Sequence, residues 1–380
     1  MRIMATMVSA YPHIRVALDA HVVGSRRTGN ETYVVNLAEA LARREDVDPT
    51  VYLDAGTVWP GPTALRRRDL RWKAPQVRVP LELPYRAKRD GAQLLHVQYV
   101  APPVARLPVV TAIHDVSFED VPGLFALPTE MRLKLTVRMS ARRSAAVITI
   151  SEFTRSRISH HYGIDPTRIV VTPLGVASFW SRAAPDDAER CLSSLTLPDR
   201  YVLAVGNLHP RKNIPRLIRA VAAARTRGAG DLHLVLAGQR AWRVADVDAA
   251  IDATDGHSWV HELGYVSAET LRALDSTAEV VAYPSRSEGF GLPVLEALAC
   301  GAVVLAADTT AIPEVAGDAA VLVDPDRDEA VIAGLLSAVT DVDLRARLRT
   351  VGPLRARAFT WDRCADKTVE AYRRALGQSS

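Results

Sequence analysis

The chain reads as an α/β protein of two doubly wound, Rossmann-like domains facing across a cleft, and three observations predict this. Apolar strands alternate with amphipathic helices from Ile14 onward, break off in an Ala-, Pro-, Asp- and Ser-rich stretch at 183–199, and resume at Tyr201. Both runs open on the same unit, a buried strand followed by a glycine-containing loop and a helix. At 380 residues the chain exceeds one ordinary core and suits two.

The first run begins with Ile14–Asp19 (I-R-V-A-L-D), apolar enough for the middle of a parallel sheet. A loop at 24–30 carries Gly29 and Asn30 and leads into a helix over 31–43, with Tyr33, Val34, Leu37 and Leu41 on one face. The strict G-x-G-x-x-G fingerprint is missing, which argues against a dinucleotide enzyme. Strands follow at 50–53, Leu94–Gln98 and 109–114. The last of these ends in His114 and Asp115, and ligands of open α/β sheets gather beyond the carboxyl ends of strands. A strand at 146–150 leads to Ser151, the expected N-cap of a helix over Glu152–Tyr162. After a strand at 169–172, segment 173–176 leaves the first domain.

The second run starts with Tyr201–Val205 and the loop G-N-L-H-P-R-K-N at 206–213, before a helix from Ile214. Gly206 ends the strand. Arg211 and Lys212 sit side by side just ahead of a helix N-terminus, where a guanidinium fork and an ammonium can both reach diphosphate oxygens. Strands at His233–Ala237 and 261–263 precede a loop at 264–267 that contains Tyr265 and Val266, and another strand is expected at 303–306. Two D-x-D runs, at 246–248 and 324–326, read as helix caps and offer no metal site.

The chemistry concentrates at 283–301, Y-P-S-R-S-E-G-F-G-L-P-V-L-E-A-L-A-C-G. An apolar strand closes at Pro284, and a short helix is expected from Pro293 to Cys300, with Gly301 in the left-handed position past its end. Between them, Glu288, Gly289, Phe290, Gly291 and Leu292 form a glycine loop emptying into a helix N-terminus. Its outward N–H groups and the helix dipole favour a phosphate or diphosphate. Glu288 precedes the helix and Glu296 is expected on its first turn. A carboxylate accepts hydrogen bonds from hydroxyls, so acceptors on both sides of an anion site suit a sugar nucleotide.

This stretch resembles the E-x7-E motif of the retaining, two-domain sugar-nucleotide glycosyltransferases, the large bacterial family four. The loop at 206–213 resembles that family's G-x-x-x-P-R-K-N, although some relatives carry arginine directly after the glycine, where this chain has Asn207. The resemblance covers roughly residues 14–375 and implies the GT-B fold. Its domains would be 1–182 and 183–361, with a last helix at about 362–376 crossing back so that 362–380 packs on the first. It implies that Gly29 and Asn30 reach the donor phosphates, that His114 lines the donor-sugar pocket, and that the loop of Tyr265 and Val266 brackets the nucleobase. Glu288 would then hold the sugar and Glu296 the ribose. Arg211, Lys212 and the amides at 289–292 would stabilise the departing diphosphate without a metal or other cofactor.

The implied reaction moves a sugar, with retention, from a nucleoside diphosphate sugar to a hydroxyl of a glycan or lipid-linked acceptor. The segments G-N-E-T-Y, I-H-D-V-S-F and G-N-L-H-P-R-K-N look most like the mannosyltransferase branch, which points to GDP-mannose as donor. UDP-linked glucose or N-acetylglucosamine is the runner-up. A same-fold epimerase would need acid/base carboxylates that the sequence does not assign. A non-catalytic sugar-nucleotide binder would be expected to lose a motif glutamate or Lys212.

Composition bounds the setting. With 48% hydrophobic and 24% charged residues the chain suits a soluble globular protein, and no apolar run reaches membrane-spanning length. Residues 1–12 lack the apolar core of a signal peptide. Cys191, Cys300 and Cys364 stand far apart without metal-ligand spacing and read as reduced, buried thiols. A cytoplasmic location follows. The net charge of +4 gathers in two clusters: Arg66, Arg67, Arg68, Arg71 and Lys73 around Trp72, with Trp59 upstream, and Arg132, Lys134, Arg138, Arg142 and Arg143. No zinc-finger, helix-turn-helix or aromatic RNA motif accompanies them, which argues against nucleic acid. Such runs are most often solvated faces. The more pointed reading is peripheral contact with anionic lipid at the inner face of a membrane.

Overall fold

The computed structural model describes residues 13–378 apart from 25–27, 62–64, 73, 75–76, 122, 124 and 241–243. The expectation about a signal peptide therefore lies outside the described residues, as does Lys73. The chain forms two compact units. The first takes residues up to Glu119, Phe125–Gly175 and Trp361 onward, and the second takes Asp120–Leu124 and Val176–Thr360. The chain thus passes between units at 175/176 and 360/361, a few residues from the boundaries set by composition.

The first unit holds a parallel sheet of β1 (Ile14–Asp19), β2 (Val47–Asp54), β3 (Arg66–Leu70), β4 (Leu94–Gln98), β5 (Val109–Ala112), β6 (Ala146–Thr149) and β7 (Ile169–Val171), in the order β3-β2-β1-β4-β5-β6-β7. Strands β4, β5 and β6 are buried along their whole length, as befits a parallel sheet covered on both faces. Its helices are α1 (Thr28–Ala42), α2 (Leu83–Arg89), α3 (Ser117–Asp120), α4 (Leu127–Arg143) and α5 (Glu152–Tyr162). Ser151 caps α5, accepting from the Thr154 amide, as its sequence position predicts.

In the second unit β8 (Tyr201–Val205), β9 (His233–Ala237), β10 (Val260–Gly264), β11 (Val280–Tyr283), β12 (Val304–Ala307) and β13 (Val321–Val323) pair in the order β10-β9-β8-β11-β12-β13, again in parallel. Around it lie α6 (Pro185–Leu192), α7 (Ile214–Ala224), α8 (Ala245–Ala253), α9 (Ala268–Thr277), α10 (Leu292–Ala299), α11 (Ile312–Ala316), α12 (Asp328–Thr340) and α13 (Val342–Ala356). One continuous core joins β8, β9 and β11 to α7, α8 and α12 through Val202, Leu217, Ile218, Val221, Leu234, Val280 and Leu335.

The terminal helix α14 (Trp361–Ala375) belongs to the first unit. It buries Trp361, Cys364, Ala365, Thr368, Val369 and Tyr372, the three- and four-residue spacing of one helical face. Arg43 and Arg44 of the α1 end pair with Asp362 and Asp366 of α14, and Arg373 reaches Asp46 at 2.7 Å.

The structure corrects several expectations. The 183–199 stretch is not a plain linker, since α6 forms there and packs through Ala188 on Ala273 of α9. Helix α1 starts at Thr28, so Gly29 and Asn30 lie in its first turn rather than in a loop. Cys300 and Cys364 are buried but Cys191 is only half-buried, and all three are free thiols. The first basic cluster is not one face. Arg66, Arg67 and Arg68 are successive residues of edge strand β3 and point alternately to opposite sides. Arg66 and Arg68 pair with Asp48 and Asp90, and Trp59 is buried. Among the described residues no helix is long and apolar enough to cross a membrane.

Candidate active site

In a doubly wound sheet a crevice opens where the strand order reverses, beyond the carboxyl ends of the two strands that flank the reversal. In the second unit those strands are β8 and β11, and the loop after each carries one of the two motifs. Gly206 follows β8 with φ +115°, a conformation side chains rarely adopt. A Cβ there would also stand 3.3 Å from Cε of Lys212. The strand-ending glycine is therefore required twice, by the turn and by the lysine that lies over it. Pro210–Lys212 makes one tight turn and Asn213 takes the left-handed conformation at φ +60°. Asn213 Nδ2 donates to the carbonyls of Pro284 (3.2 Å) and Pro325 (2.7 Å), and the backbone N–H of Arg286 donates to the Arg211 carbonyl at 2.8 Å. These bonds fasten the basic turn to the loop leaving β11.

That attachment brings Arg211, Lys212 and Glu288 together. Lys212 Nζ donates to Glu288 Oε1 at 2.7 Å, and Arg211 Nη1 donates to Oε2 at 2.7 Å and to the Ser287 carbonyl at 2.9 Å. Lys212 also bonds the Tyr283 hydroxyl and sits 4.2 Å from the centre of its ring. Burial by itself would raise the Glu288 pKa, but the charges of Arg211 and Lys212 outweigh it and hold the carboxyl down at about 2. Burial lowers Lys212 to about 8, with Glu288 opposing, so the ammonium is charged at neutral pH. The cluster is a net-positive, pre-oriented triad rather than three independent contacts.

Directly beyond it, Gly291 takes φ +99° and opens α10, and a Cβ there would meet Cδ1 of Ile312 at 2.5 Å. The amides of Phe290, Gly291 and Leu292 donate to no group among the described residues, so they remain available to an anion at the helix N-terminus. The Glu288 amide is occupied by Thr310 Oγ1 at 3.2 Å. Gly301 has the expected left-handed φ of +70° past the helix end. Glu296 departs from expectation. It lies on the second turn of α10, not the first, and is buried. Burial first, then the charge of Asp275 on α9, raises its pKa well above the usual carboxylate range. That shift favours the protonated form, which can donate a hydrogen bond as well as accept one.

Tyr265 and Val266 follow β10, two strands from β8 at the sheet edge, roughly 10 Å from the triad by strand spacing. Gly264 there takes φ +68°, and the Tyr265 side chain is exposed. The D-x-D runs are not N-caps. Asp246 and Asp248 lie inside the first turn of α8, and Asp324 accepts from the Asp326 amide at 2.9 Å. Among the described residues no cluster of three or more His, Cys, Asp or Glu could hold a metal ion.

In the first unit His114 lies just past β5, beside the reversal between β1 and β4. Its Nε2 is 3.1 Å from Gln98 Oε1, at the end of β4, and its ring packs edge-on against Tyr33 at 4.4 Å. Tyr33 in turn bonds His96 Nε2 at 3.2 Å, and His96 Nδ1 bonds the Tyr372 hydroxyl of α14 at 2.7 Å. Burial lowers His114 to about 4 and His96 to about 3, so both rings are neutral at physiological pH. Asp115 is structural. Its Oδ1 accepts from the amide and hydroxyl of Ser117 at the start of α3. Gly29 has open space where a Cβ would be and no strained φ, so its conformation does not demand glycine. The Gly24 amide is held by Glu31 of α1 at 2.8 Å.

Sequence reasoning missed Tyr283, Asn213, Thr310 and Gln98 as site-building residues. Tyr283 had a signal, a phenol closing an otherwise aliphatic buried strand. Thr310 had none, because its left-handed conformation (φ +58°) is visible only in the fold.

Two family models match the chain, "Glycosyltransferase Family 4" over residues 27–178 and "Glycosyl transferases group 1" over residues 193–355. The O-antigen chain mannosyltransferase B of Escherichia coli is 31% identical over 265 residues, covering 70% of each chain. A D-inositol 3-phosphate glycosyltransferase of Salinispora arenicola is 37% identical over 234 residues, and there the chain spans about half (51%) of the relative. Sucrose-phosphate synthase from Thermosynechococcus elongatus has a similar fold, with TM-score 0.77 at 19% identity over 97% of this chain and all of that one. Anabaena HepE in complex with UDP and glucose is similar too, with TM-score 0.73 at 18% identity over 95% of this chain and 99% of that one.

Proposed function

The chain belongs to glycosyltransferase family 4, and from that premise we propose that it moves mannose from GDP-mannose, with retention, to a hydroxyl of a glycan or lipid-linked acceptor. The observation that carries the mannosyl reading is the 31% identity to the E. coli O-antigen chain mannosyltransferase over 70% of both chains. The serotype-specific mannosyltransferase WbdA, 27% identical over 247 residues, supports it.

In this reading the bond that breaks joins the anomeric carbon to a phosphate oxygen, and negative charge grows on the departing diphosphate. Arg211 and Lys212, held rigid by Glu288, meet that charge together with the amides of Phe290, Gly291 and Leu292, so little reorganisation is needed as it develops. Glu288 accepts from the sugar hydroxyls, and Glu296 engages the ribose. Neutral His114 lines the sugar pocket, Gly29 and Asn30 approach the phosphates, and the backbone of Tyr265 and Val266 brackets the base. The acceptor oxygen attacks from the face that the diphosphate leaves, so no enzyme nucleophile is required. The reaction proceeds without a metal, and the protein works in the cytoplasm.

Calorimetric titration with GDP, UDP and their sugar conjugates tests the donor, with GDP and GDP-mannose expected to bind more tightly. Tighter binding of UDP would overturn the donor and favour UDP-linked glucose or N-acetylglucosamine, a reading the fold similarity to HepE with its UDP and glucose keeps in view. Release of nucleoside diphosphate only when acceptor is present tests transfer itself. Conversion of the donor sugar without such release would instead indicate an epimerase.

A further inference from the structure

The long helix α4 presents an unusual outward face. Leu127, Met131, Leu135 and Met139, one on each successive turn, are 68%, 63%, 61% and 40% exposed. A single exposed leucine is ordinary, but four in a row along about 18 Å of helix form a continuous apolar stripe. The core-facing side of the same helix is already satisfied by Glu130, Val137, Ser140 and Ala141, which are buried. The stripe is therefore not part of this chain's own core.

Its borders are basic. At about 100° per residue, Arg138 falls on one side of the stripe and Arg132 on the other, while Arg142 and Arg143 lie in the turn beyond Met139, and all four are exposed. Arg132, Arg138 and Arg143 pair with no carboxylate among the described residues, and Arg142 uses Nε to bond the Tyr162 carbonyl at 3.0 Å. The helix carries five basic residues against one carboxylate, Glu130, and Lys134 neutralises that at 2.8 Å. Long arginine side chains lie over apolar surface while their heads reach polar groups, so a leucine–methionine stripe edged by arginine on both sides matches the boundary between acyl chains and anionic headgroups.

We propose that this face of α4 docks the protein on an anionic phospholipid surface. The contact is independent of which nucleotide sugar the second unit binds. It also moves the membrane-facing role away from Arg66–Arg68, whose side chains diverge and are partly paired. A second copy of the chain fits poorly, because a symmetric contact through this face would oppose arginine to arginine.

Flotation of the full-length protein tests this, with vesicles of phosphatidylcholine alone or with about a third phosphatidylglycerol. The wild type should be recovered with anionic vesicles about tenfold or more above neutral ones, and recovery should fall as salt rises. Met131→Asp with Leu135→Asp should abolish recovery, and Arg132→Glu with Arg138→Glu should lower it about tenfold. Both variants alter exposed positions, so their melting temperatures and nucleoside diphosphate binding should match the wild type. Two results would overturn the proposal: equal recovery of wild type and variants, or no preference for anionic vesicles. Finding the wild type dimeric and the Asp variant monomeric by sedimentation would assign the stripe to a second copy instead. Capture by an acidic protein with no flotation would assign it to a protein partner.

Discussion

At the scale of single residues, the strongest demand falls on Lys212. Replacing it by alanine removes the buried ammonium from Glu288 and, in the proposed reaction, from the leaving diphosphate, and kcat/KM should fall roughly a hundredfold or more. Wild-type turnover in a folded Lys212→Ala protein would refute its role. The same residue sets a pH limit. Its pKa is lowered to about 8, so the charged form is lost as pH rises through that value, and kcat/KM should decline on the alkaline side near pH 8. Lys212→Arg, which keeps its charge, should move that decline to higher pH, and an unmoved profile would show that another group titrates. Gly206→Ala forces a side chain into φ +115° and toward Lys212, and should cost about 1–3 kcal/mol in urea unfolding. The identities of Arg211, Lys212 and Glu288 were legible because each sits beside a glycine or helix-start signal. Their mutual pairing was not, since Glu288 lies 76 residues from Lys212 and the contact exists only once β8 and β11 are neighbours.

At the scale of elements, the polar network under β4 and β5 makes the first unit sensitive to acid. His96 and His114 have folded pKa values of about 3 and about 4, below the ordinary histidine value, because burial opposes the charged ring. The unfolded chain therefore binds more protons as pH drops below about 6.5, and stability is complete above that value and lost progressively toward pH 4. Denaturant midpoints at pH 7.5 and pH 5 should differ by a few kcal/mol in stability, and His96→Gln should shrink the difference. A midpoint independent of pH would mean that the rings are not buried neutral. In the second unit, the basic turn after β8 and the N-terminus of α10 together supply the positive field, so turnover should survive EDTA. Loss on chelation with recovery in Mg²⁺ or Mn²⁺ would show the site misread. Most strand positions were readable from apolar runs to within a residue or two, but β2 begins three residues before the expected strand. Neither β3 nor β13 was read as a strand, β3 because Arg66–Arg68 interrupt any apolar run. Helix α6 was hidden by a composition that resembles a linker, yet Pro185, Asp186 and Asp187 are residues that favour a helix start and its dipole. Helix α1 begins early despite the weak helix propensity of Gly29 and Asn30.

At the scale of the whole molecule, two alternating runs of strand and helix made the pair of parallel sheets legible. The strand orders, with reversals between β1 and β4 and between β8 and β11, were not, because hydrophobic periodicity carries no information about neighbours. The last helix ties the most distant parts of the sequence together, and removing the chain from Trp361 onward should uncover the faces of β5–β7 and α1. Scanning calorimetry of that truncated protein should show the first unit melting at much lower temperature while the transition of the second is kept, and an unchanged trace would deny α14 a structural role. Tyr372, bonded to His96 deep in the first unit, also has a consequence for biosynthesis. A ribosome must deliver the entire second unit before it releases the residue that completes the first, a delay of roughly 10–40 s at ordinary elongation rates. During that interval the nascent amino-terminal half carries a histidine that lacks the partner of its Nδ1 and an uncovered apolar groove, so its partly made form is a natural client for chaperones.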